Sequence, residues 1–289
     1  MATFFLTALA MLAFAANSIL CRLALQAELI DAASFTAIRT VSGAAMLILI
    51  VVLRQGWKRP RSSDWWSALM LFSYMGCFSY AYISLSAGTG ALILFGSVQV
   101  TMILHGIVKG ESLTGWFWTG FALAVTGLVW LVSPGLAAPD PFGAVLMCGA
   151  GLAWGIYSLL GRQNLNASFG TAQNFVLATP MALLLSLLTL SSATISAPGA
   201  TLAVASGALT SGLGYIVWYT VLPRLTSARA ASVQLTVPVI ATILGVIALS
   251  ETVSTRLVLA SIAILGGVGI IVGQRAATDA RTDNRERPA

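Results

Sequence analysis

Apolar residues in this chain do not alternate with polar ones; they come in long runs separated by short polar gaps. Ten runs cover about 3–25, 31–53, 65–86, 88–108, 115–133, 141–162, 170–190, 199–222, 229–249 and 255–274. A helix needs about 20 mostly apolar residues to cross a bilayer core, and each run has about that length. Strands of a membrane barrel would read as short segments with every second residue apolar, which these are not. The pattern predicts an all-α membrane protein with ten transmembrane helices. The third and fourth runs nearly touch, with Ser86, Gly88 and Gly90 as the only punctuation, and fusion there would leave eight or nine spans.

Composition agrees. Of 289 residues, 58% are hydrophobic and only 8% charged, and the mean hydropathy is +0.91. Soluble domains carry about 25% charged residues, so this chain cannot cover a water-facing globule. The longest polar segments are Arg54–Asp64 and the tail from Gln274, which leaves no room for an extramembrane domain.

The positive charges fix an orientation. With ten spans and both termini cytoplasmic, the cytoplasmic gaps hold Arg54, Lys58, Arg59, Arg61, Lys109, Arg162, Arg224 and Arg229, and the tail adds four arginines. The outer gaps keep Arg22 and Arg256, and Arg39 lies inside a run. That is the positive-inside asymmetry. It accounts for the net charge of +6 without a nucleic-acid partner, for which a basic face with exposed aromatics would be needed. Cys21, Cys77 and Cys148 match no metal spacing and read as small packing residues. The first run lacks the basic region that precedes a signal sequence.

Words recur at a fixed distance. Ser18-Ile19-Leu20-Cys21-Arg22 returns as Ser158-Leu159-Leu160-Gly161-Arg162, and Gly110-Glu111-Ser112 as Ser250-Glu251-Thr252, both 140 positions on. Ser97-Val98-Gln99-Val100-Thr101 returns as Ser232-Val233-Gln234-Leu235-Thr236, 135 on. The chain therefore divides into residues 1–135, residues 136–275 and a basic cytoplasmic tail, 276–289. Five spans per half is an odd number, so the halves would be inverted repeats around a central cavity. That architecture suits a carrier whose two halves exchange roles.

The ten-run layout, the Gly/Ser-Glu-Ser/Thr words before the fifth and tenth runs and the Gly-rich last run (Gly266-Gly267-Val268-Gly269 to Gly273) resemble the EamA branch of the drug/metabolite transporter superfamily. Within that branch the chain is most similar to bacterial YddG-type exporters. The resemblance implies an inner-membrane transporter that exports aromatic or other neutral amino acids. An exporter of cationic drugs, or a carrier of another small metabolite, is the alternative. The ninth run departs from the fourth by carrying Pro238 and five more residues before the following Glu.

Candidate site residues follow from what is costly or special inside a membrane. No Asp or Glu lies deep in any run, and His105 is the only histidine. Proton-coupled carriers use such groups in the substrate path, so the chain reads as facilitative, with His105 either an interfacial residue or a coupling group. Arg39 either snorkels or is structurally paired, or else faces a cavity and attracts a substrate carboxylate. Phe78 and Tyr82 share a helix face, as do Trp154 and Tyr157; with Tyr215 and Trp218 they form a wall for a flat substrate or else pack between helices. Asn17, Gln99 and Gln234 either bind a zwitterion or join helices. Gly212 and Gly214 read as points of close helix approach or, with Pro238, as hinge candidates. Trp57, Trp65, Trp66, Trp116, Trp118 and Trp130 read as the interfacial belt. Nothing predicts a cofactor or metal. An enzyme would need a catalytic constellation, and a channel a charge ring or carbonyl filter; neither is visible. The partners expected are a small amino-acid-like molecule and the lipid bilayer, with the protein a monomer or a homodimer.

Overall fold

The computed structural model describes residues 2–55, 64–109, 115–135, 137–161, 167–225 and 233–286. Lys58, Arg59, Arg61, Glu111, Arg162 and Arg229, used in the charge and repeat arguments, lie outside them. The described chain is helical: α1 (Ala2–Gln26), α2 (Ala32–Gln55), α3 (Asp64–Ala81), α4 (Ala87–Val108), α5 (Gly115–Val132), α6 (Pro141–Gly161) and α7 (Ala167–Leu188). Next, α8 (Ala197–Val204) runs into a π-helical segment, Ala205–Leu213, and on into α9 (Gly214–Val221); α10 (Thr236–Leu249) and α11 (Thr255–Glu286) follow.

Among the described residues six helices are long and apolar enough to cross a membrane: Thr3–Gln26, Ala32–Arg54, Ala87–Val108, Pro141–Gly161, Ser168–Leu188 and Ala197–Val221. Trp116–Val132, Thr236–Leu249 and Thr255–Ile271 are apolar but shorter. The exposed side chains are mostly large and apolar (Phe4, Phe5, Leu53, Trp116, Leu188, Ile247), as a surface solvated by lipid requires.

Polar residues between the runs start the helices. Asp31 accepts from the Ser34 amide (2.9 Å) and Asp140 from the Gly143 amide (2.6 Å). Ser86 separates α3 from α4 by accepting from the Thr89 amide, so the third and fourth runs are distinct helices. Such caps satisfy the free N–H groups of a first turn. Two boundaries differ from the sequence reading. The last helix continues through Glu286, past its apolar part. The ninth run breaks at Leu235, and Pro238 falls in the first turn of α10. Lacking an N–H, Pro238 leaves the Gln234 carbonyl without its usual helical donor.

The packing repeats between the halves. α5 lies along α11, α2 along α7, and α4 against α10. α3 packs on α6 and α7, as the α8–α9 segment packs on α1 and α2; α4 packs on α6, as α10 packs on α1. Exchanging the halves leaves this set of neighbours unchanged.

Candidate functional site

Where α1, α3, α4 and α6 meet the π segment and α9, the bundle encloses a cavity of about 20 Å³. That is room for one water. Its wall takes Phe14, Asn17, Tyr74, Phe78 and Phe95 from the first half, and Trp154, Thr210, Ser211, Tyr215 and Gln234 from the second. The rings form a continuous chain. Centroids lie 4.7 Å apart for Phe78–Tyr82, 5.4 Å for Tyr74–Phe78, 4.8 Å for Tyr74–Trp154 and 5.3 Å for Trp154–Tyr215. Phe14 adds an edge contact to Tyr215 at 5.8 Å.

Arg39 stands directly behind this wall, 0% exposed. Its Nε donates to Ser211 Oγ at 3.4 Å and its Nη2 to the Tyr74 hydroxyl at 3.3 Å. The guanidinium carbon sits 4.9 Å from the Phe78 ring centre and 5.5 Å from that of Tyr74. The buried Nη1 has no hydrogen-bond partner, and among the described residues no carboxylate pairs with Arg39. Full burial excludes snorkelling; the arginine is paired with neutral partners instead, a costly arrangement for a buried cation.

The neighbouring polar residues belong to the π segment. Ser206 and Thr210 donate to Asn17 Oδ1 at 2.7 and 3.1 Å. Gly207 lets this segment press against α2: a Cβ there would collide with the Arg39 carbonyl oxygen and Ser42 Oγ. Gly212 and Gly214 lie at the end of the segment, close against Met46 and Ala13. Wide π turns are rare and recur at functional sites.

Of the predicted residues, Asn17, Phe78, Trp154, Tyr215 and Gln234 line the cavity. Tyr82, Tyr157, Gln99 and Trp218 are buried nearby without lining it. The Tyr82 hydroxyl donates to the Ala87 carbonyl, and the Tyr157 hydroxyl accepts from Asn174. His105 is exposed in the last turn of α4. Sequence reasoning missed Phe14, Ser18, Tyr74, Leu94, Phe95, Thr210 and Ser211 as liners. For Phe14 the signal existed: it sits 140 positions before Trp154, the repeat offset. Thr210 and Ser211 carry no such mark.

Contacts within and between the halves tie one end of the bundle together. Arg22 Nε donates to Glu251 Oε1 at 3.3 Å, and its Nη1 to the Tyr82 and Ile83 carbonyls at 2.9 and 2.8 Å. Glu251 also accepts from the Ala87 amide at 2.9 Å. At the same end Ser84 donates to Asp140, Asp31 accepts from the Thr194 amide, Ile30 pairs with Ile195, and Arg256 donates to the Trp130 and Ser133 carbonyls. Glu251→Ala removes the acceptor common to Arg22 and α4. Charge-assisted bonds contribute about 1.5–3 kcal/mol each, so at least a tenfold shift toward opening is expected. Thiol labelling of a Ser18→Cys variant from that end should be faster by this factor; an unchanged rate would show that the contact does not hold the end closed.

A family model described as "EamA-like transporter family" matches the chain twice, over residues 1–133 and 141–273. An uncharacterized protein of Pseudomonas aeruginosa is 49% identical over 279 residues, covering 96% of this chain and 97% of its own. An uncharacterized transporter of Archaeoglobus fulgidus is 29% identical over 271 residues, covering 86% and 90%. The uncharacterized transporter YoaV of Bacillus subtilis is 24% identical over 248 residues, covering 81% and 85%. A solved crystal structure at 17% identity superposes with a TM-score of 0.65 over 95% of this chain and 98% of that one, which shows a shared fold.

Proposed function

The chain belongs to the EamA-like transporter family and is a multi-pass membrane transporter; on that premise we propose that it exports small amphipathic metabolites, aromatic and other neutral amino acids foremost, by alternating access. The observation that carries this reading is the cavity itself. It lies between the two family modules, its wall is aromatic, and a buried arginine with a free donor stands behind it. Rings stack on a flat side chain, and a guanidinium suits a carboxylate.

The cavity is too small for any amino acid, so admitting one requires its wall to move. Moving the π segment away from α3 would part Ser211 from Tyr74 and Phe78 and uncover Nη1 of Arg39. The repeated packing supports two inverted halves that rock against each other. The broken helix at Gln234 supports a wall that can move, because freed carbonyls are tolerated where they face a cavity. With both termini in the cytoplasm of a bacterial inner membrane, as the charge pattern favours, the end tied by Arg22 and Glu251 faces outward.

Uncoupled transport is supported by the position of His105, exposed and away from the wall, and by the lack of acidic liners among the described residues. The same lack argues against a cationic drug as substrate.

The test is counterflow of labelled phenylalanine in liposomes of purified protein, with and without a pH gradient. Saturable exchange that ignores the gradient is expected; strict dependence on it would refute the uncoupled reading. Trp154→Ala removes the ring common to Tyr74, Tyr157 and Tyr215. A stacking contact is worth about 0.5–1.5 kcal/mol beyond its area, so half-saturation should rise about tenfold, while His105→Ala leaves it unchanged.

A further inference from the structure

We infer that the carboxylate alone is the required charge, so that the site also carries monoanionic acids lacking the ammonium group and the membrane potential drives their export. This rests on the transport reading above and extends its substrate class.

The polar groups in the cavity wall and directly behind it favour an anion. Nη1 of Arg39 is a buried donor with no partner. Asn17 Oδ1 already accepts from Ser206 at 2.7 Å, and the Thr210 hydroxyl is shared between it and the Ser206 carbonyl; the Asn17 amide nitrogen can only donate. Ser211 Oγ accepts from Arg39. The Tyr74 and Phe78 rings, which could hold an ammonium group, already flank the guanidinium. Among the described residues no liner is acidic; Glu28 and Asp31 lie beyond Gln26 of α1 and Asp140 caps α6, while Glu251 is engaged by Arg22 and Ala87. A carboxylate would meet a cation and donors. An ammonium group would meet no counter-charge.

A consequence follows for energy coupling. The net charge moved per cycle is that of the substrate. A zwitterion moves none, so the potential leaves its distribution unchanged. A monoanion moves one negative charge, and an inside-negative potential pushes it outward. The cavity needs no proton-binding acid to drive that export.

Three probes with one side chain separate the cases. L-Phenyllactate is a monoanion, L-phenylalanine a zwitterion, and L-phenylalaninol a cation. Purified full-length protein in liposomes, with a potassium gradient and valinomycin setting the potential, is compared with protein-free vesicles. Phenyllactate should exchange and should accumulate about tenfold for each ~59 mV of interior-positive potential. Phenylalanine should exchange without responding to the potential, and phenylalaninol should be excluded. Exchange of phenylalanine without phenyllactate overturns the inference but leaves the transport reading standing. Exchange of phenylalaninol at the rate of phenyllactate also overturns it. Absence of exchange for all three overturns both. Arg39→Gln should abolish the discrimination between phenyllactate and phenylalaninol, and Arg39→Lys should restore part of it.

Discussion

Replacing Arg39 by methionine is expected to reduce carboxylate transport at least a hundredfold while leaving the thermal midpoint of the purified protein unchanged or raised. The two readouts separate because the arginine contributes in opposite senses to binding and to folding. In this conformation it is 0% exposed, unpaired with any acid among the described residues, and satisfied by two long neutral contacts of 3.3 and 3.4 Å. Burying a charge costs several kcal/mol, and replacing it with an apolar side chain of similar volume is often neutral or stabilising. The two ring contacts offset part of that, about 2 kcal/mol each for a desolvated cation. In the loaded carrier the same group gains a carboxylate. Charge-assisted bonds of that kind contribute about 1.5–3 kcal/mol each, and two of them amount to a hundredfold or more. A residue retained for packing would behave the other way, with a lower midpoint and near-normal exchange. Counterflow and a melting curve on one preparation decide the matter.

The largest structural effect is expected at Gly207. A Cβ there meets the main-chain oxygen of Arg39, and backbone cannot swing aside as a flexible side chain does. Overpacking a tight contact costs about 1–3 kcal/mol, and a backbone clash inside the α2 contact lies at the top of that range. Gly207→Ala should give folded protein with a clearly lowered midpoint, and Gly207→Val protein that aggregates on size exclusion. Gly266→Ala is the control. Its Cβ would meet nothing within 4 Å, so only the helix propensity of alanine acts, worth about 1 kcal/mol in its favour. Equal effects at the two positions would mean that the π segment does not bear on α2 as described.

Much of this architecture could be read from the chain. Lipid imposes long apolar helices, and so the runs were visible without alignment. The acids at the gaps proved to be caps and clasps: Asp31, Asp140 and Glu251 each receive a backbone amide. Trp154, Tyr215, Asn17 and Gln234 could be chosen because polar tips and amides are costly in lipid unless partnered or wet, and Phe78 because it shares a helix face with Tyr82. What could not be read has a physical cause too. Facing direction depends on helix rotation, which weak amphipathicity leaves unspecified in a bundle apolar on all sides. Tyr82, Tyr157 and Gln99 are therefore plausible liners by composition, yet sit just off the wall. The π segment arises from packing of Gly207 on α2 and from the Asn17 bonds, neither of which is local in sequence.

The central claim is that one cavity, between the two halves, opens to each side of the membrane in turn. A single cysteine in place of Ser211, in a background without Cys21, Cys77 and Cys148, tests it with a membrane-impermeant thiol reagent added to one face at a time. The account predicts labelling from both faces, slower when a carried substrate is present. Labelling from one face only, at a rate indifferent to substrate, would contradict it.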